Sequence, residues 1–329
     1  MRKIVSFFGD KSEIFCKLNK KAEEYANSLD MEYRWAPQIP FSQDQVIEEL
    51  QNADAGIIDI EPYGEAVFSQ VKDHTKLLVR FGVGFDQVDL KAASRYGIAV
   101  ARTTGANTTA VAEMALTLIL SCRRRISKYQ ARTRSGIWTK DIGHELIGAT
   151  VGIIGYGSIG RRLAHLLKGF DCQILAYDPF PQKEIMEVDG VKLVTLEELF
   201  TRSDAVSIHV PYTEETHHMV NRETLAMMKP TAVLVNTARG NIIQEDDLYE
   251  ALKSGQIAGA GVDVFAKEPL PADSPLLTLE NAVLTPHVSS QTVESLWNIY
   301  KMAIDISADF FAGKDSPHIL NPDYQAYCR

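Results

Sequence analysis

Short apolar runs, many of them β-branched, alternate along most of the chain with amphipathic stretches of helical length. Such alternation predicts an α/β architecture, parallel strands buried on both faces and covered by helices. In the first hundred residues RKIVSFF, AGIIDI, KLLVRF and GIAVAR read as strands. VDLKAASRY reads as a helix that stops at Gly97, where a left-handed C-cap is expected. From NTTAVAEMALTLILSC the pattern changes to a long, nearly all-apolar helix, then a basic and polar segment to about Glu145. A second series of strands follows: TVGIIG, QILAYD, AVSIHV, AVLVNT, GAGVDVF and AVLTPH. The amphipathic stretch VESLWNIYKMAIDISADFFAG predicts a long closing helix with a short tail. The pattern therefore predicts two doubly wound units joined by long helices, with ligands beyond the carboxyl ends of the strands.

Length and composition narrow the class. A chain of 329 residues is long for one core and suits two domains. The net charge of −9 leaves no positive excess to track a phosphodiester backbone, which excludes nucleic acid as the main partner. The N-terminal apolar run is too short for a signal peptide, and AVAEMALTLIL carries Glu113 and is too short to span a bilayer. Cys16, Cys122, Cys172 and Cys328 are scattered without metal-ligand spacing, as expected of free thiols in a reducing cytoplasm.

Within VGIIGYGSIG, Gly155, Gly157 and Gly160 stand in G-x-G-x-x-G spacing between a strand and a helix. Alone the motif is weak. Its context strengthens it, because the next strand ends in Asp178, near where a ribose-binding acid is expected about 20 residues on. Gly155 permits the tight turn, Gly157 lets backbone approach a pyrophosphate, and Gly160 lets the helix pack on the sheet. Asp178 would accept bonds from both ribose hydroxyls and repel a 2′-phosphate, favouring NAD over NADP. Arg161 and Arg162 leave a small opening for NADP, but they sit past the loop on the helix.

Three polar residues follow the ends of later strands: Arg239 in NTARG, Glu268 in GVDVFAKEP and His287 in TPH. Carbonyl reduction needs a proton donor at the oxygen, and histidine titrates nearest neutrality. A carboxylate beside it would orient the ring and favour its cation. Arginine offers a planar fork that matches a substrate carboxylate.

The ordered motifs ADAGII, GVGFDQVDL, NTTAVAE, GIIGYGSIG, HVPYTEETHHMVN, MKP, NTARGNII, GAGVDVFAKEP and TPH span nearly the whole chain. Together they resemble the D-isomer-specific 2-hydroxyacid dehydrogenase family, phosphoglycerate-dehydrogenase-like branch. The resemblance implies two Rossmann-like or flavodoxin-like parallel-sheet domains. An NAD domain (residues 105–290) would be inserted into a substrate domain (1–104 and 291–329). It implies an NAD-dependent oxidoreductase acting on a small D-2-hydroxy acid and its 2-keto acid. Arg239 would be substrate anchor, His287 the acid–base and Glu268 its partner. Ser158 and Ile159 would contact the pyrophosphate and Asp178 the adenosine ribose. Thr103, Val210, Thr237 and Ala238 match other cofactor-contacting positions, and Asp263 the acid that bonds the nicotinamide carboxamide. Ser289, beside the nicotinamide ribose, stands where relatives carry a small residue, often glycine. The amides of Val83 and Gly84 would hold the substrate carboxylate, so catalysis should require closure of a cleft.

Segment 107–146 matches the helix and arm through which relatives dimerise, so a homodimer is expected, with Arg132 and Arg134 available to reach across. Departures from the family also carry information. Phosphoglycerate-oxidising relatives usually carry R-S-x-T after AGII, where this chain has Asp59, Ile60 and Glu61. Acids there repel phosphate. Arg102 and Thr104 replace a common Asn and Pro. Formate dehydrogenases of this fold carry Gln at Glu268, which argues against that activity. Phosphite oxidation, or a corepressor-like NADH-responsive binding protein, would keep the same three residues. His217 and His218 point in different directions and no metal is expected, while His209 is expected as a hydrogen-bonded residue at the sheet edge.

Overall fold

A computed structural model describes residues 1–327, so Cys328 lies outside the described residues. The chain divides into two units, Met1–Asn107 with the residues from Gln291 onward, and Thr108–Ser290.

The first unit holds β1 (Arg2–Ser6), β2 (Met31–Trp35), β3 (Ala55–Ile58), β4 (Leu77–Arg80) and β5 (Ala99–Arg102). They form one parallel sheet in the order β2-β1-β3-β4-β5. Alternate residues feed opposite faces. Ile57 joins the cluster built on Leu296, Ile299 and Tyr300, whereas Ile58 joins the one built on Phe68 and Val100. The helix Val293–Phe311 supplies the first of those clusters, as its amphipathic pattern predicts.

Strand β2 has no counterpart in the sequence reading. At the sheet edge it exposes Glu32 and Arg34 and buries only Met31 and Tyr33, too little apolar signal to read as a buried strand. The tail closes the other edge. Asn321 accepts from the Val100 N–H (2.7 Å) and donates to the Ile98 carbonyl (2.9 Å), while the Leu320 N–H bonds the Val100 carbonyl. Residues 319–321 thus cover the polar groups that an exposed edge strand would offer to another chain.

The second unit carries β6 (Thr150–Ile154), β7 (Gln173–Tyr177), β8 (Lys192–Leu193), β9 (Ala205–Ile208), β10 (Val233–Asn236), β11 (Gly259–Val262) and β12 (Ala282–Leu284). All pair in parallel, in the order β12-β11-β10-β9-β6-β7-β8. Val233 and Val235 face one cluster and Leu234 the other, so both faces are covered. The apolar helix Thr108–Arg123 packs so closely on β11 that a Cβ at Gly261 would lie 2.8 Å from the Leu118 Cβ. Chain order reverses between β6 and β9, and their carboxyl ends flank the crevice where such sheets bind ligands. Among the described residues no helix is long and apolar enough to cross a membrane.

Candidate active site

The three fingerprint glycines occupy distinct environments at the end of β6. Gly155 has φ +93°, and a Cβ there would meet the His209 carbonyl carbon at 2.7 Å and the Val210 nitrogen at 2.8 Å. A Cβ on Gly160 would lie 2.1 Å from the Gly155 oxygen, so only glycine lets the helix Ser158–Leu167 begin against the turn. At Gly157 a Cβ would touch nothing within 4 Å, which leaves open space over the helix N-terminus. Gly157 and Ser158 are exposed, and Ile159 packs into the core below.

Asp178, after β7, accepts from the Tyr156 N–H (2.7 Å) and the Phe180 N–H (2.8 Å), which fixes its carboxylate beside the glycine turn. Arg161 pairs with Asp189 at 2.8 Å. That pairing occupies the arginine and weakens the opening for a 2′-phosphate. The buried Thr237 Oγ1 and His209 Nδ1 have no hydrogen-bond partner among the described residues. Open space at Gly157, a helix N-terminus and these orphaned polar atoms fit a bound dinucleotide. His209 Nε2 lies 2.9 Å from the Ser207 hydroxyl, and burial pushes the histidine down to about 4.

The three polar residues converge at the carboxyl ends of β10, β11 and β12. His287 Nδ1 lies 2.7 Å from Glu268 Oε2. The other oxygen of Glu268 accepts from the Phe265 N–H at 3.0 Å. Burial alone would raise the Glu268 carboxyl. The hydrogen bonds from His287 and Phe265, with the charges of His287 and Arg239, outweigh it and hold the group below the usual glutamate range. An ionised carboxylate only accepts, so Nδ1 is assigned the proton and Nε2 is the nitrogen left for chemistry.

Two residues missed in the sequence hold Arg239 in place. Asn236, buried at the end of β10, donates to the Arg239 carbonyl (2.9 Å) and accepts from the Ala238 N–H (3.0 Å). Gly240 passes so close to the next loop that a Cβ would lie 1.9 Å from the Phe265 carbonyl carbon. The available signals were an asparagine in an otherwise apolar strand and a glycine directly after the arginine.

The turn 285–290 hangs on Asp263, which is fully buried after β11. Its carboxylate accepts from the Thr285 hydroxyl and from the N–H groups of Val288 and Ser289. The Ser289 hydroxyl donates to it as well. His287 itself has φ +55°, a left-handed conformation that non-glycine residues adopt at a cost. Its N–H bonds the Asp263 carbonyl at 2.8 Å.

In the first unit, Gly82 (φ +120°) turns the chain after β4. Neither the Val83 nor the Gly84 amide finds an acceptor among the described residues. Thr103 is fully buried, and its hydroxyl accepts from the Gly82 N–H at 2.9 Å, so here it braces that loop. The Arg102 guanidinium lies 5.4 Å from the Phe85 ring centre and caps the same loop, which gives this departure a structural role. Asp59 stands 3.6 Å from the buried Arg80.

Arg132 binds Glu280 of its own chain through two nitrogens, at 3.2 and 2.8 Å. Contrary to the expectation that they point in different directions, the His217 and His218 rings stack at 3.7 Å; among the described residues no group of His, Cys, Asp and Glu could hold a metal ion.

Residues 116–289 match the family model described as D-isomer specific 2-hydroxyacid dehydrogenase, NAD binding domain. The chain is 38% identical over 310 residues to a glyoxylate reductase of Korarchaeum cryptofilum, covering 92% of each. It is 37% identical to a D-3-phosphoglycerate dehydrogenase of Archaeoglobus fulgidus, over 86% of this chain but 54% of that protein. A solved D-2-hydroxyisocaproate dehydrogenase superposes with a TM-score of 0.86 at 29% identity, covering 98% of this chain and 100% of the other.

Proposed function

The chain belongs to the D-isomer specific 2-hydroxyacid dehydrogenase family, and on that premise we propose what its residues do. It is an NAD-dependent oxidoreductase that interconverts a D-2-hydroxy acid and its 2-keto acid. The glycine turn at Gly155 and Gly157, with Asp178, would hold NADH, which when bound would supply the hydride needed at the keto carbon. His287 Nε2 gives its proton to the carbonyl oxygen and takes one back in the reverse direction. Glu268 holds the opposite ring nitrogen and stabilises the cation. Arg239 clamps the substrate carboxylate and polarises the carbonyl. The Val83 and Gly84 amides donate to that carboxylate. The observation that carries this reading is the 2.7 Å contact between His287 Nδ1 and Glu268 Oε2 at the strand ends, with the arginine charge beside it.

The substrate is a small, unphosphorylated keto acid, with glyoxylate the leading candidate. Two features support this: the similarity to a glyoxylate reductase over nearly the whole chain, and the acids Asp59 and Glu61 where phosphate-binding relatives carry arginine. Arg80 offers phosphate no free cation, because it is buried with Asp59 beside it.

The domain with residues 105–290 binds NAD, and the remainder binds substrate. The enzyme works in the cytoplasm as a homodimer joined through the arm within 107–146, where Trp138 and Ile142 are more than four-fifths exposed. Trp138→Glu should turn a dimeric elution and scattering mass into a monomeric one, and an unchanged mass would remove the arm from the interface. A spectrophotometric screen of 2-keto acids with NADH and NADPH tests the activity. NADH binding without turnover of any keto acid would favour the binding-protein reading.

A further inference from the structure

Asp263 matches the family acid expected to receive the nicotinamide carboxamide, yet its acceptor capacity in this chain is already taken. An ionised carboxylate offers about four lone-pair positions. Oδ1 accepts from the Thr285 hydroxyl (2.6 Å) and the Val288 N–H (2.9 Å). Oδ2 accepts from the Ser289 N–H (2.9 Å) and from the Ser289 hydroxyl. The side chain is fully buried, and Ser289 is only 5% exposed. Three of these donors hold the turn that carries His287 in its left-handed conformation. The Ser289 hydroxyl adds a fourth, from a position where a smaller residue would leave one lone pair open.

We infer that Ser289 closes Asp263 to the cofactor, so that this enzyme binds the nicotinamide ring without reading the N–H of its carboxamide. The inference rests on the proposed NAD site. In it, Asp263 and Ser289 are positioning residues for the His287 turn, and amide specificity is what this chain gives up. The carboxamide and the serine hydroxyl compete for one acceptor position. The hydroxyl belongs to the same turn and is always present.

The discriminating probe is reduced 3-acetylpyridine adenine dinucleotide, which keeps the ring carbonyl but has a methyl in place of the amide nitrogen. Affinity is measured by calorimetry and by reduced-ring fluorescence, because the acetyl group also alters the ring's reduction potential and would confound turnover. Wild-type protein should bind NADH and the analogue within about threefold of one another. Ser289→Ala should tighten NADH by about tenfold and leave the analogue unchanged, as expected for a hydrogen bond gained at a charged acceptor. A wild-type preference for NADH of tenfold or more would overturn the inference, as would a ratio that Ser289→Ala does not move. Should that variant fail to fold, Thr285→Val, which also opens a lone pair, replaces it, and the wild-type ratio stands as a test by itself. Binding of neither dinucleotide would overturn the cofactor reading and this inference with it. Binding of both with strong amide preference would sink only the inference.

Discussion

The most exacting test of the site is a single methyl group at Gly240. A Cβ built there would lie 1.9 Å from the Phe265 carbonyl carbon, 2.1 Å from its oxygen and 2.3 Å from the Ala266 nitrogen, all backbone atoms with no rotamer to escape into. Real Cβ contacts essentially never fall below 3.0 Å, so Gly240→Ala must part the two loops by about 1 Å. One loop carries Arg239. The other carries Glu268, tied to the Phe265 N–H at 3.0 Å and to His287 at 2.7 Å. A misplacement of about 1 Å costs roughly 10²-fold in rate, or about 2.7 kcal/mol of barrier. Overpacking should also cost about 1–3 kcal/mol of stability. The expected result is a folded protein with a lowered Tm, NADH affinity within a few-fold of wild type, and kcat/KM for the 2-keto acid that wild type turns over best down about 100-fold. A folded variant with kcat/KM within about threefold of wild type would refute the claim that this backbone approach sets the geometry of the site.

Three further outcomes follow from the same geometry. His287→Asn should lower kcat by about 10²–10⁴-fold while NADH still binds, and near-normal turnover would remove His287 from proton transfer. Arg239→Lys keeps the charge but loses the fork, so kcat/KM should fall by more than about tenfold; an unchanged value would contradict two-point binding. His209 makes stability depend on pH. Its folded pKa of about 4 lies below the unfolded value of about 6.5, so the unfolded chain binds more protons between the two. Its contribution is complete above that unfolded value and is lost as pH falls towards 4. The apoprotein of His209→Gln should therefore lose less Tm than wild type between pH 6.5 and 4, and identical Tm profiles would show that burial does not shift this group.

What the sequence revealed follows from how strongly each feature is imprinted. Central strands such as those containing Val206 and Leu234 are buried on both faces, so their apolar runs are unmistakable. The edge strands β2 and β8 are not, because β2 alternates and β8 has only two residues, whereas the edge strands β5 and β12 keep short apolar runs that can be read. The clamp of Asn321 on β5 left no trace, since one asparagine in a polar tail resembles any other. Motif order brought Arg239, Glu268 and His287 together before any geometry was known. Spacing cannot say how a carboxylate's lone pairs are shared, so Asp263 read only as a cofactor ligand. The four donors around it are visible only in three dimensions.

The site's precision comes from backbone meeting backbone more than from side chains. The turn at Gly155 lies against the backbone of His209 and Val210, and the Arg239 turn lies against Phe265 through Gly240. The His287 turn is fastened to the end of β11 by Asp263. Adjacent strand ends are thus locked pairwise, β6 to β9, β10 to β11 and β11 to β12. Because each lock is a close approach or a buried carboxylate, none can relax by a rotamer change. Side chains at the mouth of the site can therefore vary to suit different keto acids, whereas a methyl group on either glycine would disturb the reacting geometry itself. Selection for a new substrate should spare Gly155, Gly240 and Asp263, the positions on which these locks rest.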